Sequence, residues 1–213
     1  MRTDDLIANL TSDLKPVRRG GLELLLGAGL VAGAVVTAGM MAMWLGVRPD
    51  LHTAMRGFAF WMKAIYTLAL TVVGFLLVER AGRPGSRLLP TALLALLALA
   101  IIWVIGVMQM MHAPAADKPS LFFGASYTVC PRNILVLSLP ILVGVVLAMR
   151  RMAPTRPALA GAAAGLLAGS GGASVYGLHC PEASAMFVAV WYSLGIALAG
   201  AVGAVSGKLL LRW

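Results

Sequence analysis

LPTALLALLALAIIWVIGVMQMM, residues 89–111, decides the fold. The run holds 23 residues and no charged side chain. As a helix rising about 1.5 Å per residue it reaches ~34 Å, enough to cross a hydrocarbon core of about 30 Å. Five further apolar runs flank it, at about residues 21–46, 58–78, 134–149, 158–178 and 183–211. The run at 134–149 is short and contains Pro140, so a kinked helix is expected there. The fold class that follows is all-α: a polytopic membrane bundle of six transmembrane helices.

Composition agrees. Sixty per cent of the 213 residues are apolar and only 12% are charged. A soluble domain carries about 25% charged residues. The net charge of +9 raises the question of nucleic acid. The basic residues are scattered between apolar runs, however, and form no stripe. They read as topology signals and lipid-headgroup contacts, with no direct nucleic-acid partner.

Their distribution sets an orientation. The N-terminal arm, the second and fourth connections and the C-terminal tail carry twelve Lys and Arg residues, among them Arg80, Arg83, Arg87, Arg150, Arg151 and Arg156. The first, third and fifth connections carry four: Arg48, Arg56, Lys118 and Arg132. By the positive-inside rule both termini face the cytoplasm, and the odd connections face outward. Lys63 is the remaining cation, early in the second span, where it can snorkel to the nearer surface.

Small residues recur every fourth position. Gly29 and Gly33 do so in the first span, Gly161, Gly165 and Gly169 in the fifth, and Gly195, Ala199, Gly203 and Gly207 in the sixth. Such stripes let helix backbones approach in lipid. Packing within the chain is the favoured reading, with a homodimer face as the alternative. Met40, Met41, Met43, Met108, Met110 and Met111 read as apolar filler rather than copper ligands.

Both cysteines fall at the outward ends of spans. Cys130 precedes the fourth span and Cys180 follows the fifth, each followed by a proline. In an oxidising compartment two such thiols can bridge, exchange or bind a ligand. A structural disulfide and a reactive or sensing pair both remain open at this point. His179 and Glu182 flank Cys180 and are candidate auxiliary metal ligands. No CxxC or HxxxH spacing supports a preformed site, so the metal stays unassigned and no cofactor is expected.

Two isolated cysteines suit a sensor better than an electron-passing enzyme, and no nucleophile elbow is present, so no enzymatic activity is expected. A small transporter or channel for a metal or organic ion is the rival reading. It would want ionisable groups in mid-span, whereas Glu23 and Lys63 lie near span ends. A structural subunit of a larger complex is a second rival.

The opening MRTDDLIANLTSDLKPVRRG divides the chain into an arm, 1–20, and a membrane domain, 21–213. Thr3 can cap a helix whose first turn holds Asp4 and Asp5, and Leu6, Ile7, Leu10 and Leu14 make one apolar stripe ended by Pro16. The polar face, with Asp4, Asp5 and Asp13, is acidic. That disfavours an anionic lipid surface and favours docking into a protein groove.

Four stretches resemble the NrsF-type membrane anti-sigma factors of proteobacteria: MRTDDLIANLTSDLKPVRR, TVCPRNILVLSLP, AMRRMAPTRPALAGAAAGLLAG and LHCPEASAMFVAVWYSLGI. The paired Cys-Pro motifs carry the specificity. One departure is the stretch Ser170 to Ala173, polar and glycine-rich, which would loosen the fifth span. The resemblance implies an inner-membrane protein that holds an extracytoplasmic-function sigma factor inactive. It further implies sensing thiols at Cys130 and Cys180, heavy-metal or oxidative stress as the signal, and sigma binding by the arm (Asp4, Asp5, Leu6, Ile7, Leu10, Leu14) with help from the arginine-rich connections.

Overall fold

The computed structural model describes residues 3, 5, 11, 12, 20–83, 85–152 and 154–211. The elements are α1 (Gly21–Trp44), α2 (Leu51–Ala54), α3 (Phe58–Ala81), α4 (Leu89–His112), α5 (Lys118–Phe123), α6 (Cys130–Met149), α7 (Pro157–Tyr176) and α8 (Ala185–Leu210). There is no strand among the described residues. Six helices, all but α2 and α5, are long and apolar enough to cross a membrane. Their ends fall close to the runs read from hydropathy, with one instructive difference. The fourth helix begins in the turn before residue 134, at Cys130, so this cysteine lies in the span and not in the third connection. Pro131 explains the shift: in the first helical turn its missing N–H costs nothing and its fixed φ suits the helix. Cys130 therefore heads a helix instead of lying in a loop.

In lipid, burying apolar surface does not drive helices together, so close backbone packing must hold them. The glycine stripes supply it, and they are used within the chain. α7 is the central helix, packed on α3, α6 and α8. Gly161 and Gly165 of α7 face Gly203 and Gly207 of α8. A Cβ added at Gly165 would land on the Ala199 carbonyl oxygen, and one at Gly203 on the Gly161 carbonyl oxygen. On the other side, Gly29 and Gly33 of α1 press on the backbone of Gly144 and Ile141 in α6.

The stretch Ser170 to Ala173 does the opposite of loosening its helix. Ser170 Oγ donates to the Leu166 carbonyl at 2.8 Å, and Gly172 lies against the backbone of Ser138 in α6. The helix runs unbroken to Tyr176. Buried apolar residues form two clusters. One, around Tyr66, Ile134, Tyr176, Phe187 and Tyr192, surrounds the cysteines. The other, around Leu26, Val78, Val145, Met149 and Leu167, fills the opposite half. α1 and α4 stay largely uncovered, with only 22% and 17% of their apolar windows buried, which suits a lipid-facing position. Met41 is core, while Met43 is exposed, as fits filler residues.

The arginine-rich end is tied by side chains. Arg83 pairs with Glu23 of α1 and, at 2.8 Å, with Glu79 of α3. Arg80 donates to the Thr91 hydroxyl of α4. Just before α1, Gly20 has φ +82°, a left-handed conformation that glycine adopts without strain. In the arm, Thr3, Asp5, Thr11 and Ser12 are helical and exposed. Asp4, Leu6, Ile7, Leu10, Asp13 and Leu14 lie outside the described residues.

The α7–α8 contact yields a test. Gly165→Leu should lower thermal stability in detergent by about 3 kcal/mol, because overpacking a backbone contact cannot relax. Gly200→Leu, on the same helix pair but with open space around it, should melt like the parent.

Candidate functional site, a buried dithiol beneath three clasped connections

Cys130 and Cys180 come together although 50 positions separate them. α6 and α7 run antiparallel side by side, so the start of one meets the end of the other. Cys130 N–H donates to the Ser126 carbonyl at 2.9 Å, and Cys180 N–H to the Tyr176 carbonyl at 3.0 Å, which fixes both backbones. Both side chains are free thiols and fully buried. Cys130 is hydrogen-bonded to the Cys180 sulfur. The Tyr192 ring and hydroxyl close the site from α8, and the Tyr176 ring from α7.

Lys63 enters from α3, and this is where the structure departs most from the sequence reading. The side chain does not snorkel out. It is 2% exposed, and Nζ donates to the carbonyls of Cys180 at 2.9 Å and Glu182 at 3.2 Å. Nζ also sits 5.6 Å from the centre of the Tyr192 ring, a cation–π contact. Arg48 adds a weaker tie, Nη1 to the Cys180 carbonyl at 3.4 Å, but its charge is matched by Asp50 at 2.6 Å. That hydrogen bond raises Arg48 above its ordinary value and holds Asp50 below the usual carboxylate range.

Glu182 and His179 tie connections together. One Glu182 carboxylate oxygen accepts from the Ala125 N–H at 2.8 Å, the Ser126 N–H at 3.1 Å and the Ser126 hydroxyl at 3.0 Å. It thereby clasps the turn that leads into Cys130. Gly124 of that turn has φ +56°, and a Cβ there would strike the same carboxylate. His179 Nδ1 bonds the Gly46 carbonyl at 2.9 Å, linking the fifth connection to the first. Among the described residues no three His, Cys, Asp or Glu side chains form a metal-binding group. The two sulfurs come together; the two candidate auxiliary ligands do not join them.

The helix after the site is capped from across the bundle. Gln109 Oε1 of α4 accepts from the Ala185 N–H at 2.8 Å and from the Ser184 hydroxyl at 3.1 Å. The segment Val188–Tyr192 is a π-helical insertion in α8, which places Tyr192 against the thiols. Such insertions concentrate at functional positions. Lys63 lies where two clefts of about 160 and 170 Å³ meet. The first lies between α3 and α7. The second is bordered by Arg48, Pro181 and Glu182.

The chemistry available is that of a tuned thiol. Cys180 lies outside the spans and has its pKa lowered to about 5. The hydrogen bond from Cys130 is the main cause; burial opposes it, and the Lys63 charge assists. Lowering the thiol favours the thiolate, the form that attacks oxidants and binds soft metals. Sequence reasoning found both cysteines and missed Lys63, Arg48 and Tyr192. The signal for Lys63 was present: a cation inside an apolar span.

The chain matches the family described as "Negative regulator of sigma F" (NrsF) over residues 10–213. It is 43% identical over 218 residues to the anti-sigma-F factor NrsF of Caulobacter vibrioides (strain NA1000 / CB15N), covering 100% of both chains. It is 38% identical over 216 residues to the probable anti-sigma-F factor NrsF of Azospira oryzae (strain ATCC BAA-33 / DSM 13638 / PS), again covering 100% of both. No solved structure matches it.

Thiol titration checks the electrostatics. Alkylation of Cys180 in the reduced, detergent-solubilised protein, followed by peptide mass spectrometry against pH, should rise with a midpoint near the lowered value of about 5. A midpoint at the ordinary thiol value of about 8.5 would contradict the assigned environment.

Proposed function

The chain belongs to the NrsF family of negative regulators of sigma F, and from that membership we propose that it is a membrane anti-sigma factor controlled by its dithiol. In this reading it holds a sigma factor of the extracytoplasmic-function type at the inner membrane, with both termini cytoplasmic. The arm, residues 1–20, supplies the contact, through Asp4, Asp5 and the stripe Leu6, Ile7, Leu10 and Leu14. The arginine-rich connections stand beside it.

One observation carries the proposal: two free, buried thiols in contact at the end of the bundle opposite the arm. A hydroperoxide fits their chemistry. The Cys180 thiolate attacks the terminal peroxide oxygen and the O–O bond breaks, giving a sulfenic acid and an alkoxide (hydroxide from hydrogen peroxide) that takes a proton from solvent and leaves as the alcohol or water. The Cys130 thiol then attacks that sulfur, and a disulfide and water form. Overall, two thiols and one hydroperoxide give a disulfide, water and an alcohol, or two waters from hydrogen peroxide itself. A soft thiophilic cation bridging the two sulfurs consumes the same pair without oxidation.

Either event changes packing that the bundle depends on. Cys130 is the first residue of α6, and Cys180 hangs on carbonyl ties to α3. Drawing the sulfurs into a covalent or metal bridge pulls on both. The state that results must bind the sigma factor more weakly by roughly 1–3 kcal/mol for a useful switch.

Replacing both cysteines with serine should leave sigma-dependent transcription repressed and unresponsive to peroxide or cadmium, read with a reporter. A normal response in that variant would refute thiol sensing. Deleting residues 2–15 should abolish co-purification of the sigma factor. Retained binding would place the contact on the connections around Arg83 and Arg151. Reporter fusions after Lys118 and after Arg156 should read as external and cytoplasmic respectively.

A further inference from the structure

Lys63 is not needed for the fold in the way an apolar residue at its position would be. A charge buried to 2% exposure is costly in an apolar bundle unless it is matched. Among the described residues no carboxylate pairs with it. The nearby Glu182 carboxylate is occupied by the turn at Ala125 and Ser126. Two carbonyls and the face of the Tyr192 ring solvate the ammonium but bring no net negative charge. Arg48, the other nearby cation, is already matched by Asp50. Glu182 acts on Lys63 only at longer range and makes no ion pair with it, so the group beside Lys63 that can become an anion is the thiol pair.

We propose that Lys63 is the counter-charge of the Cys180 thiolate: a positioning residue that makes Cys180 the first thiol to react and Cys130 the resolving one. The inference rests on the reading of the two cysteines as the responding pair. The geometry is specific. Lys63 grips the Cys180 carbonyl and the carbonyl two residues on, so the same contacts hold the loop and keep the charge at the residue whose thiol it acts on. The groups facing the thiols are Lys63 from α3, Tyr176 from α7, Tyr192 from α8, and Arg48 and Glu182 from the first and fifth connections. Lys63 is the member of this set that is both cationic and without a carboxylate partner.

A consequence follows for the switch. Once the thiolate is consumed, Lys63 is a buried cation left with only the more distant Glu182 charge. The two clefts that meet at Lys63 give the side chain a way out. Leaving would release the two carbonyls and free the fifth connection from α3. Oxidation is thus converted into movement by loss of a charge pair.

Full-length reduced protein in detergent tests this with wild type, Lys63→Arg, Lys63→Gln and Lys63→Met. Glutamine keeps N–H donors for the carbonyls and removes the charge. The pH midpoint of iodoacetamide labelling of Cys180 should rise by about one unit in the Gln and Met variants and stay near wild type in the Arg variant. A Gln variant that melts like wild type and labels Cys180 with the wild-type midpoint would overturn the proposal. Wild type alone gives a second reading. Hydrogen peroxide with dimedone should tag Cys180 and spare Cys130; a tag on Cys130 would overturn it. Failure of thiol sensing itself would show elsewhere, as a reporter that still responds after both cysteines become serine.

Discussion

The contact between α7 and α8 is the constraint on which the rest of the bundle depends. Helix association in lipid has no water to expel, so it must come from van der Waals contact and hydrogen bonds. Gly161, Gly165, Gly203 and Gly207 strip side chains from both helices and let the backbones touch. α7 then has room on its remaining faces for α3 and α6. Because α6 and α7 are neighbours and antiparallel, the head of one meets the tail of the other. The dithiol is a product of that geometry.

Around the dithiol the protein meets a second demand. Irregular backbone at the end of a bundle leaves polar groups that must be paired where little water reaches them. The ties come from other helices: Lys63 to the carbonyls of Cys180 and Glu182, Gln109 to the N–H of Ala185, and His179 to the carbonyl of Gly46. Trp191 Nε1 reaches the Phe122 carbonyl at 2.9 Å. Each is a long-range bond to a main-chain group. They make the cysteine end a single clasped unit tied to α3, α4 and α8.

Much of this was legible in the sequence. Hydropathy located all six spans because the bilayer imposes a length, and the four-residue glycine stripes named the faces that pack. The Cys-Pro motifs marked the site and even held the clue to the α6 boundary, since Pro131 belongs in a first helical turn. Other features depend on contacts between distant segments and have no local pattern. Lys63 was readable as an anomaly in an apolar run, but its carbonyl partners lie more than a hundred positions away. His179 and Glu182 looked like ligands because their side chains can coordinate. In the structure His179 bonds a backbone carbonyl of the first connection, and Glu182 holds two backbone N–H groups and the Ser126 hydroxyl of the third. The glycines around Ser170 read as a weak point because glycine disfavours helices in water. Packed against α6, the same residues are what permits contact.

Gly20 bears on how any message could reach the arm. Its left-handed φ of +82° stands between the arm and α1. A continuous helix is a shaft and would carry rotation from the bundle straight into the arm. A left-handed residue interrupts the regular helical ladder, so α1 starts afresh at Gly21. The start of α1 is in turn fixed to the end of α3 by the pair of Glu23 and Arg83. A signal that travels along the chain towards residue 1 has to turn this corner, and the corner belongs to α3 as much as to α1.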